Sequence, residues 1–130
     1  MREFVIQRSN NPGEIADVTN ALSLQGVNIK SISAMAFGTQ GILRIIPDDV
    51  DNGRNALRAK GIEFKEHDVV TVLLENQSGE LTGVAAKLAQ GGLNLEAVYV
   101  VGLADDLIEL AIVVDDVKKA RKLLGEQVSS

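Results

Sequence analysis

The second half of this 130-residue chain repeats the first half. Seven residues within positions 10–28 recur unchanged 66 positions later. The aligned pairs are Asn10 with Asn76, Gly13 with Gly79, Glu14 with Glu80, Val18 with Val84, Leu22 with Leu88, Gly26 with Gly92 and Asn28 with Asn94. The match then resumes at a displacement of 67, where Asp49-Val50 aligns with Asp116-Val117. Because an internal repeat marks a structural unit that is built more than once, the chain is expected to form two similar modules, residues 1–68 and 69–130.

Both copies show the same order of predicted elements. A β-forming run such as Phe4–Gln7 leads to a glycine-containing loop, after which apolar residues recur at three- and four-residue spacing, as in a helix. The loop Asn11-Pro12-Gly13-Glu14 matches a capping box, so Asn11 and Glu14 are predicted to cap this helix. Two strands, a helix that starts at an Asp pair and, in the first copy, a strand over Ile62–Glu66 follow. The sequence predicts an α+β fold of two tandem ferredoxin-like βαββαβ modules.

The second copy is predicted to lack its last strand. Val128, two positions before the last residue, aligns with Gly61, which precedes the fourth strand of the first copy. In this fold the fourth strand lies beside the first, so the strand at Val69–Leu74 is expected to have an unpaired edge. Open edges favour pairing with another chain, and a homodimer is therefore expected.

Composition excludes several classes of function. Thirteen Lys and Arg against 18 Asp and Glu give a net charge of −5, which argues against nucleic-acid binding. The chain has no cysteine and one histidine, His67, so neither a metal site nor a cofactor is expected. His67 is predicted to be a solvated turn residue, and the Asp pairs to lie at helix starts and a hairpin tip. No nucleophile–base arrangement or phosphate-binding loop is present, which predicts a protein that is not an enzyme.

Nothing in the sequence indicates export or membrane insertion. Met1-Arg2-Glu3 runs directly into a predicted strand, unlike a signal peptide. Apolar runs such as Leu110–Val114 are far shorter than the roughly 18 residues of a membrane span. A cytoplasmic protein without a membrane segment is expected.

The loops and the strands that follow the first helices resemble the ACT domain signature. The first copy has Asn10-Asn11-Pro12-Gly13 and Gly26-Val27-Asn28-Ile29, and the second has Asn76-Gln77-Ser78-Gly79 and Gly92-Leu93-Asn94-Leu95. The resemblance covers nearly the whole chain and is to the modules of phosphoglycerate dehydrogenase, aspartokinase and the acetolactate synthase regulatory subunit. It implies a regulatory protein that binds a small amino acid where ACT domains pair, within the chain or across a dimer. The alternative is an interaction subunit of an amino-acid biosynthetic enzyme with no ligand site in use.

The resemblance also implies which residues contact the ligand. Helix N-termini attract carboxylates, and an Asn carboxamide both donates and accepts hydrogen bonds, which suits a zwitterion. The predicted ligand-binding residues are Asn10, Asn11, Gly13, Glu14, Ile15, Asn28 and Ile29 in the first copy and Asn76, Gly79, Leu81, Asn94 and Leu95 in the second. The asparagines and glycines are also typical turn residues. Ser78, where the family has proline, leaves the loop geometry and the ligand binding of the second copy open, and the identity of the amino acid stays open as well.

Overall fold

The computed structural model describes all 130 residues. The chain divides into two compact units, Arg2–His67 and Asp68–Ser130 together with Met1. Each unit contains one sheet and two helices that share a single apolar core with it. The predicted α+β class and the order of elements are therefore confirmed. None of the helices has the length and apolar character that crossing a bilayer requires.

The first unit contains six elements, which are β1 (Arg2–Ser9), α1 (Glu14–Leu24), β2 (Ile29–Phe37), β3 (Gln40–Pro47), α2 (Val50–Ala59) and β4 (Lys65–Asp68). The sheet order is β2-β3-β1-β4, which places β2 at an edge. Side chains such as Phe4 of β1, Leu22 of α1 and Leu57 of α2 fill the core between the sheet and the helices. The last strand begins later than predicted, because Ile62 is buried in this core rather than paired in the sheet.

The second unit repeats this arrangement without a fourth strand, as predicted. Its elements are β5 (Val70–Glu75), α3 (Glu80–Gln90), β6 (Leu95–Ala104), β7 (Leu107–Val114) and α4 (Val117–Leu124), followed by a 3₁₀ turn over Gly125–Gln127. The sheet order is β5-β7-β6, so that β6, like β2, lies at an edge.

The edge of β5 is not unpaired, contrary to the expectation from the sequence. Val128 forms a single antiparallel bridge with Val72. Next to it, the Thr71 amide donates to the Ser130 carbonyl over 2.9 Å, and the Ser129 amide donates to the Thr71 carbonyl over 2.7 Å. The short segment 128–130 thus covers part of the edge that a fourth strand would cover.

The four helices begin in two different ways. Asp49 and Asp116 cap α2 and α4 as predicted, because their Oδ1 atoms accept from the amides of Asn52 and Lys119 over 3.1 and 3.0 Å. The capping box predicted for α1 is wrong. Gly13 occupies the cap position with no side-chain cap, and the Glu14 carboxylate instead accepts from Arg8 Nε over 2.8 Å.

A buried carboxylate of β1 changes the role of the only histidine. Glu3 is fully buried, and its Oε2 lies 2.7 Å from Arg44 Nη1 and 3.1 Å from His67 Nδ1. The prediction that His67 is a solvated turn residue is therefore wrong, because His67 is half-buried in β4. The fully buried Glu3 carboxylate, which needs polar partners, explains this placement of His67.

Candidate ligand-binding site

The loop from β1 to α1 contains a tight turn with glycine at its third position. Gly13 has φ 89° and ψ −11°, and the Glu14 amide donates to the Asn11 carbonyl over 3.3 Å. These values match a type II turn, in which the second position favours proline and the third requires positive φ. Pro12 and Gly13 therefore fit their positions for reasons of backbone geometry.

The corresponding loop of the second copy has the same geometry although Ser78 replaces the proline. Gly79 has φ 90° and ψ −14°, and the Glu80 amide donates to the Gln77 carbonyl over 3.3 Å. Serine fits this turn because proline is favoured at the second position but not required. The substitution does not alter the loop.

Both glycine-capped helices present backbone amides without an acceptor in the chain. In α1 the first helical hydrogen bond runs from Asp17 N to Gly13 O over 2.9 Å, and the amides of Ile15 and Ala16 have no acceptor. In α3 the same holds for the amides of Leu81 and Thr82. The turn uses the amide of Glu14, a predicted ligand-binding residue, so this amide is not available to a ligand. Two donors per helix start remain for an anion.

The loop asparagines anchor the helix start to the neighbouring hairpin. The Asn10 amide donates to the Thr39 carbonyl over 2.8 Å, and the Asn76 amide donates to the Asp106 carbonyl over 2.7 Å. The Asn10 carboxamide adds a long contact of 3.5 Å to the Gly38 carbonyl. The backbone of these residues therefore has a structural role in both copies.

The asparagines that precede the second strands are held by aspartates that sequence reasoning missed. The Asn28 amide donates to Asp48 Oδ1 over 3.0 Å, and the Asp48 amide donates back to the Asn28 carbonyl over 2.9 Å. The Asn94 amide donates to Asp115 Oδ1 over 3.3 Å. The signal was available, since Asp48 and Asp115 occupy matching positions in the repeat. The Asn28 carboxamide is exposed and has no partner in the chain.

An open groove of about 430 Å³ runs along α1 and brings part of the predicted site together. Its lining consists of Ala16, Thr19, Asn20, Ser23, Val27, Asn28 and Ile29. Asn28 and Ile29 are predicted residues, whereas Thr19, Asn20 and Ser23 were not recognised from the sequence. Asn10, Asn11, Gly13, Glu14 and Ile15 lie at the start of α1 and are not part of this lining. Ala16, with its unpaired amide, links the helix start to the groove.

The two edge strands carry exposed apolar side chains. On β2 these are Ile32, Met35 and Phe37, and on β6 they are Leu95, Val98, Val100 and Leu103. At the helix starts, Ile15 and Leu81 are each 49% exposed. Long apolar edges of this kind are typical of surfaces that pair with another strand. The chain contains no group of three or more Asp, Glu or His side chains placed to hold a metal ion.

No protein-family model matches the sequence. No curated protein matches it significantly either. Solved structures do match it. Protein BT0572 of Bacteroides thetaiotaomicron is 25% identical with a TM-score of 0.87, over 98% of this chain and 88% of that chain.

Two regulatory subunits of aspartate kinase have the same fold. The subunit from Thermus thermophilus is 16% identical with a TM-score of 0.66, over 95% of this chain and 89% of that chain. The subunit from Thermus flavus is 19% identical with a TM-score of 0.66, over 95% of this chain and 86% of that chain. The chain therefore has a tandem ACT-like fold, which confirms at the level of the fold the resemblance noted in the sequence.

Proposed function

We propose that this chain of two ACT-like modules is a non-catalytic regulatory protein that binds a small amino acid where such modules pair. One observation carries the proposal. Both copies build the same helix start, with a left-handed glycine cap and two amides that have no acceptor in the chain. The need to cap a helix does not by itself explain the glycine-capped starts of α1 and α3, because the same chain caps α2 and α4 with aspartate side chains.

The groups at this site are complementary to the carboxylate and ammonium groups of a zwitterion. The amides of Ile15 and Ala16 suit the α-carboxylate of the ligand, which the positive end of the helix dipole also attracts. The exposed carboxamide of Asn28 has an oxygen that accepts from an ammonium group. The amides lie at the N-terminal end of α1, whereas Asn28 follows its C-terminal end. One ligand can therefore use both kinds of group where pairing brings the helix start of one module beside the asparagine of another.

The edge strands provide a route from ligand binding to regulation. Pairing through β2 or β6 would cover the exposed apolar side chains of these strands. A ligand held at a paired interface favours the paired state only through its higher affinity for that state. Regulation then consists of a ligand-dependent shift in the pairing equilibrium.

The same fold supports a second candidate function. Regulatory subunits of aspartate kinase share the fold over most of their length, which favours an interaction subunit of an amino-acid biosynthetic enzyme. Purification of the chain from its native source distinguishes the two functions. A co-purifying catalytic subunit supports the second candidate, and isolation as a homodimer alone contradicts it.

Isothermal titration calorimetry and thermal shift with the 20 common amino acids test the first proposal. A ligand at 100 times its Kd adds about 2.7 kcal/mol to the free energy of unfolding, and this raises the melting temperature by several degrees. Asn28→Ala is expected to weaken binding and leave the fold intact, since the bonds between Asn28 and Asp48 involve only the Asn28 backbone. Asn55→Ala, which removes an exposed carboxamide on α2, is the matched control. Absence of binding by any amino acid contradicts the proposal.

A further inference from the structure

The groove along α1 has no polar counterpart in the second module. Helices α1 and α3 are each 11 residues long and begin at matching glutamates. The groove residues Thr19, Asn20 and Ser23 align with Ala85, Ala86 and Ala89. Three hydrogen-bonding side chains on one helix thus correspond to three alanines on the other.

Folding does not explain the polar residues of the groove. Alanine is the strongest helix former, and threonine, asparagine and serine each lower helix stability by a few tenths of a kcal/mol relative to it. Thr19 partly compensates, because its hydroxyl donates to the Ala16 carbonyl over 3.2 Å. Asn20 and Ser23 are exposed, and their side chains have no partner in the chain. Their donors and acceptors are therefore available to a molecule in the groove.

The positions that the two copies share indicate a common task. Both modules keep the glycine cap, the unpaired amides and the asparagine anchored by an aspartate. These groups suit the α-carboxylate and α-ammonium that all amino acids have. The copies differ at positions 19, 20 and 23 against 85, 86 and 89. The residues at these positions in the first copy therefore recognise the side chain, which is the part that varies between amino acids.

The lining of the groove defines the chemical class of that side chain. It contains a threonine and a serine hydroxyl and two carboxamides, but no charged residue. Where pairing of modules covers the groove, a charged ligand side chain would lose water without gaining a counter-charge, and an aliphatic one would leave polar groups unpaired. Uncharged side chains with a hydroxyl or a carboxamide satisfy these groups.

We propose that the first module binds an amino acid with a hydroxyl or carboxamide side chain, which Asn20 and Ser23 recognise, and that the second module does not bind this ligand. The inference rests on the proposed function and specifies its ligand. One such ligand binds per chain. The alanine face of α3 offers no side-chain donor or acceptor, so the second module cannot make the same contacts.

Titration calorimetry on the full chain tests the inference by comparing two sets of ligands. The first set is serine, threonine, asparagine and glutamine, and the second is alanine, valine, leucine, lysine and aspartate. Two double variants exchange these residues between the helices, Asn20→Ala with Ser23→Ala on α1 and Ala86→Asn with Ala89→Ser on α3. We expect a member of the first set to bind at one molecule per chain. The first double variant should lose about tenfold in affinity for each hydrogen bond removed. The second should keep the wild-type affinity of the first module.

The outcomes separate this inference from the proposed function. Binding that Asn28→Ala weakens but the Asn20/Ser23 double variant does not would overturn the side-chain recognition and support the proposed function. Two equivalent sites per chain, or a preference for a charged or aliphatic amino acid, would also overturn the inference. Binding of none of the 20 amino acids would overturn both. Circular dichroism checks the fold of the Asn20/Ser23 variant, in which two good helix formers replace two weaker ones.

Discussion

Arg8 Nε donates a hydrogen bond to Glu14 Oε2 over 2.8 Å, which places a cation beside the first carboxylate of α1. The residue that corresponds to Arg8 in the second copy is Leu74, and Glu80 has no ion-pair partner. The two helix starts therefore share their backbone geometry and differ in charge. A carboxylate ligand at the proposed site would lie beside an ion-paired glutamate in the first module and beside a glutamate without an ion-pair partner in the second.

Removal of this ion pair is expected to weaken ligand binding to the first module. Arg8→Ala leaves the Glu14 charge uncompensated next to the proposed carboxylate site, and we expect affinity to fall by about three- to tenfold. Stability should change by less than about 1 kcal/mol, because the pair is partly exposed. Addition of Glu14→Gln to Arg8→Ala should restore affinity in a calorimetric titration. An unchanged affinity in the single variant would show that this charge does not act on the ligand.

Glycine is required at position 13 because of the backbone conformation there, and not because a side chain would lack space. A Cβ at this position meets no atom within 4 Å, but φ is +89°. Gly13→Ala is therefore expected to lower the free energy of unfolding by about 1–2 kcal/mol. Gly83→Ala is the control, since Gly83 lies inside α3 with open space around it, and it should raise stability by about 0.5–1 kcal/mol. Urea denaturation measures both, and equal effects would contradict this account.

Glu66 is expected to make the first unit sensitive to acid. The side-chain hydrogen bond from Arg54 lowers the pKa of Glu66, a hydrogen bond from Arg2 adds to this, and burial opposes both. Because the pKa of the folded state lies below the ordinary value of a glutamate, this stabilisation is present above that ordinary value and disappears as the pH falls through the lowered pKa.

Glu66→Gln should accordingly cost about 1–2 kcal/mol of unfolding free energy at neutral pH, with a smaller difference from wild type in acid. Asp51→Asn provides the comparison, because Asp51 also pairs with Arg54 but its side chain is 89% exposed. That change should cost less than about 0.5 kcal/mol. Urea denaturation at several pH values measures both variants. A difference between Glu66→Gln and wild type that does not vary with pH would disprove the assignment.

The edge strands are expected to mediate pairing. Ile32→Lys on β2 and Val98→Lys on β6 each place a charge on an exposed apolar edge, a substitution that natural edge strands use to prevent association. Light scattering after size-exclusion chromatography should show a lower association constant for at least one of the two variants. Ala59→Lys on α2 adds the same charge away from the edges and should leave association unchanged. Normal association in both edge variants would exclude these strands from the interface.

The order of elements followed from the sequence because local signals determine it. Apolar spacing at Val18 and Leu22, glycine after each first helix and aspartate at each second helix all act within a few residues. The start of α1 was mispredicted because Asn-Pro-Gly-Glu fits both a capping box and a type II turn. The choice does not depend on Arg8, because the second copy forms the same turn with Leu74 at the corresponding position. Glycine at the third position, which adopts the positive φ of a type II turn, is common to both copies.

The candidate site was only partly accessible from the sequence. Asn28 stood out because it recurs as Asn94, but Asn20 and Ser23 looked like ordinary solvated helix residues. Only the groove shows that they lie beside Asn28. The pairing of Val128 with Val72 was missed because so short a segment has no periodicity to detect.

The placement of β6 at a sheet edge has a practical consequence for optical experiments. The chain has no tryptophan, and its one tyrosine, Tyr99, lies within β6. Tyrosine fluorescence from the unlabelled protein therefore originates at this edge strand alone. A change in emission intensity or anisotropy on adding a ligand or a partner would report on the surroundings of β6 directly, without any dye.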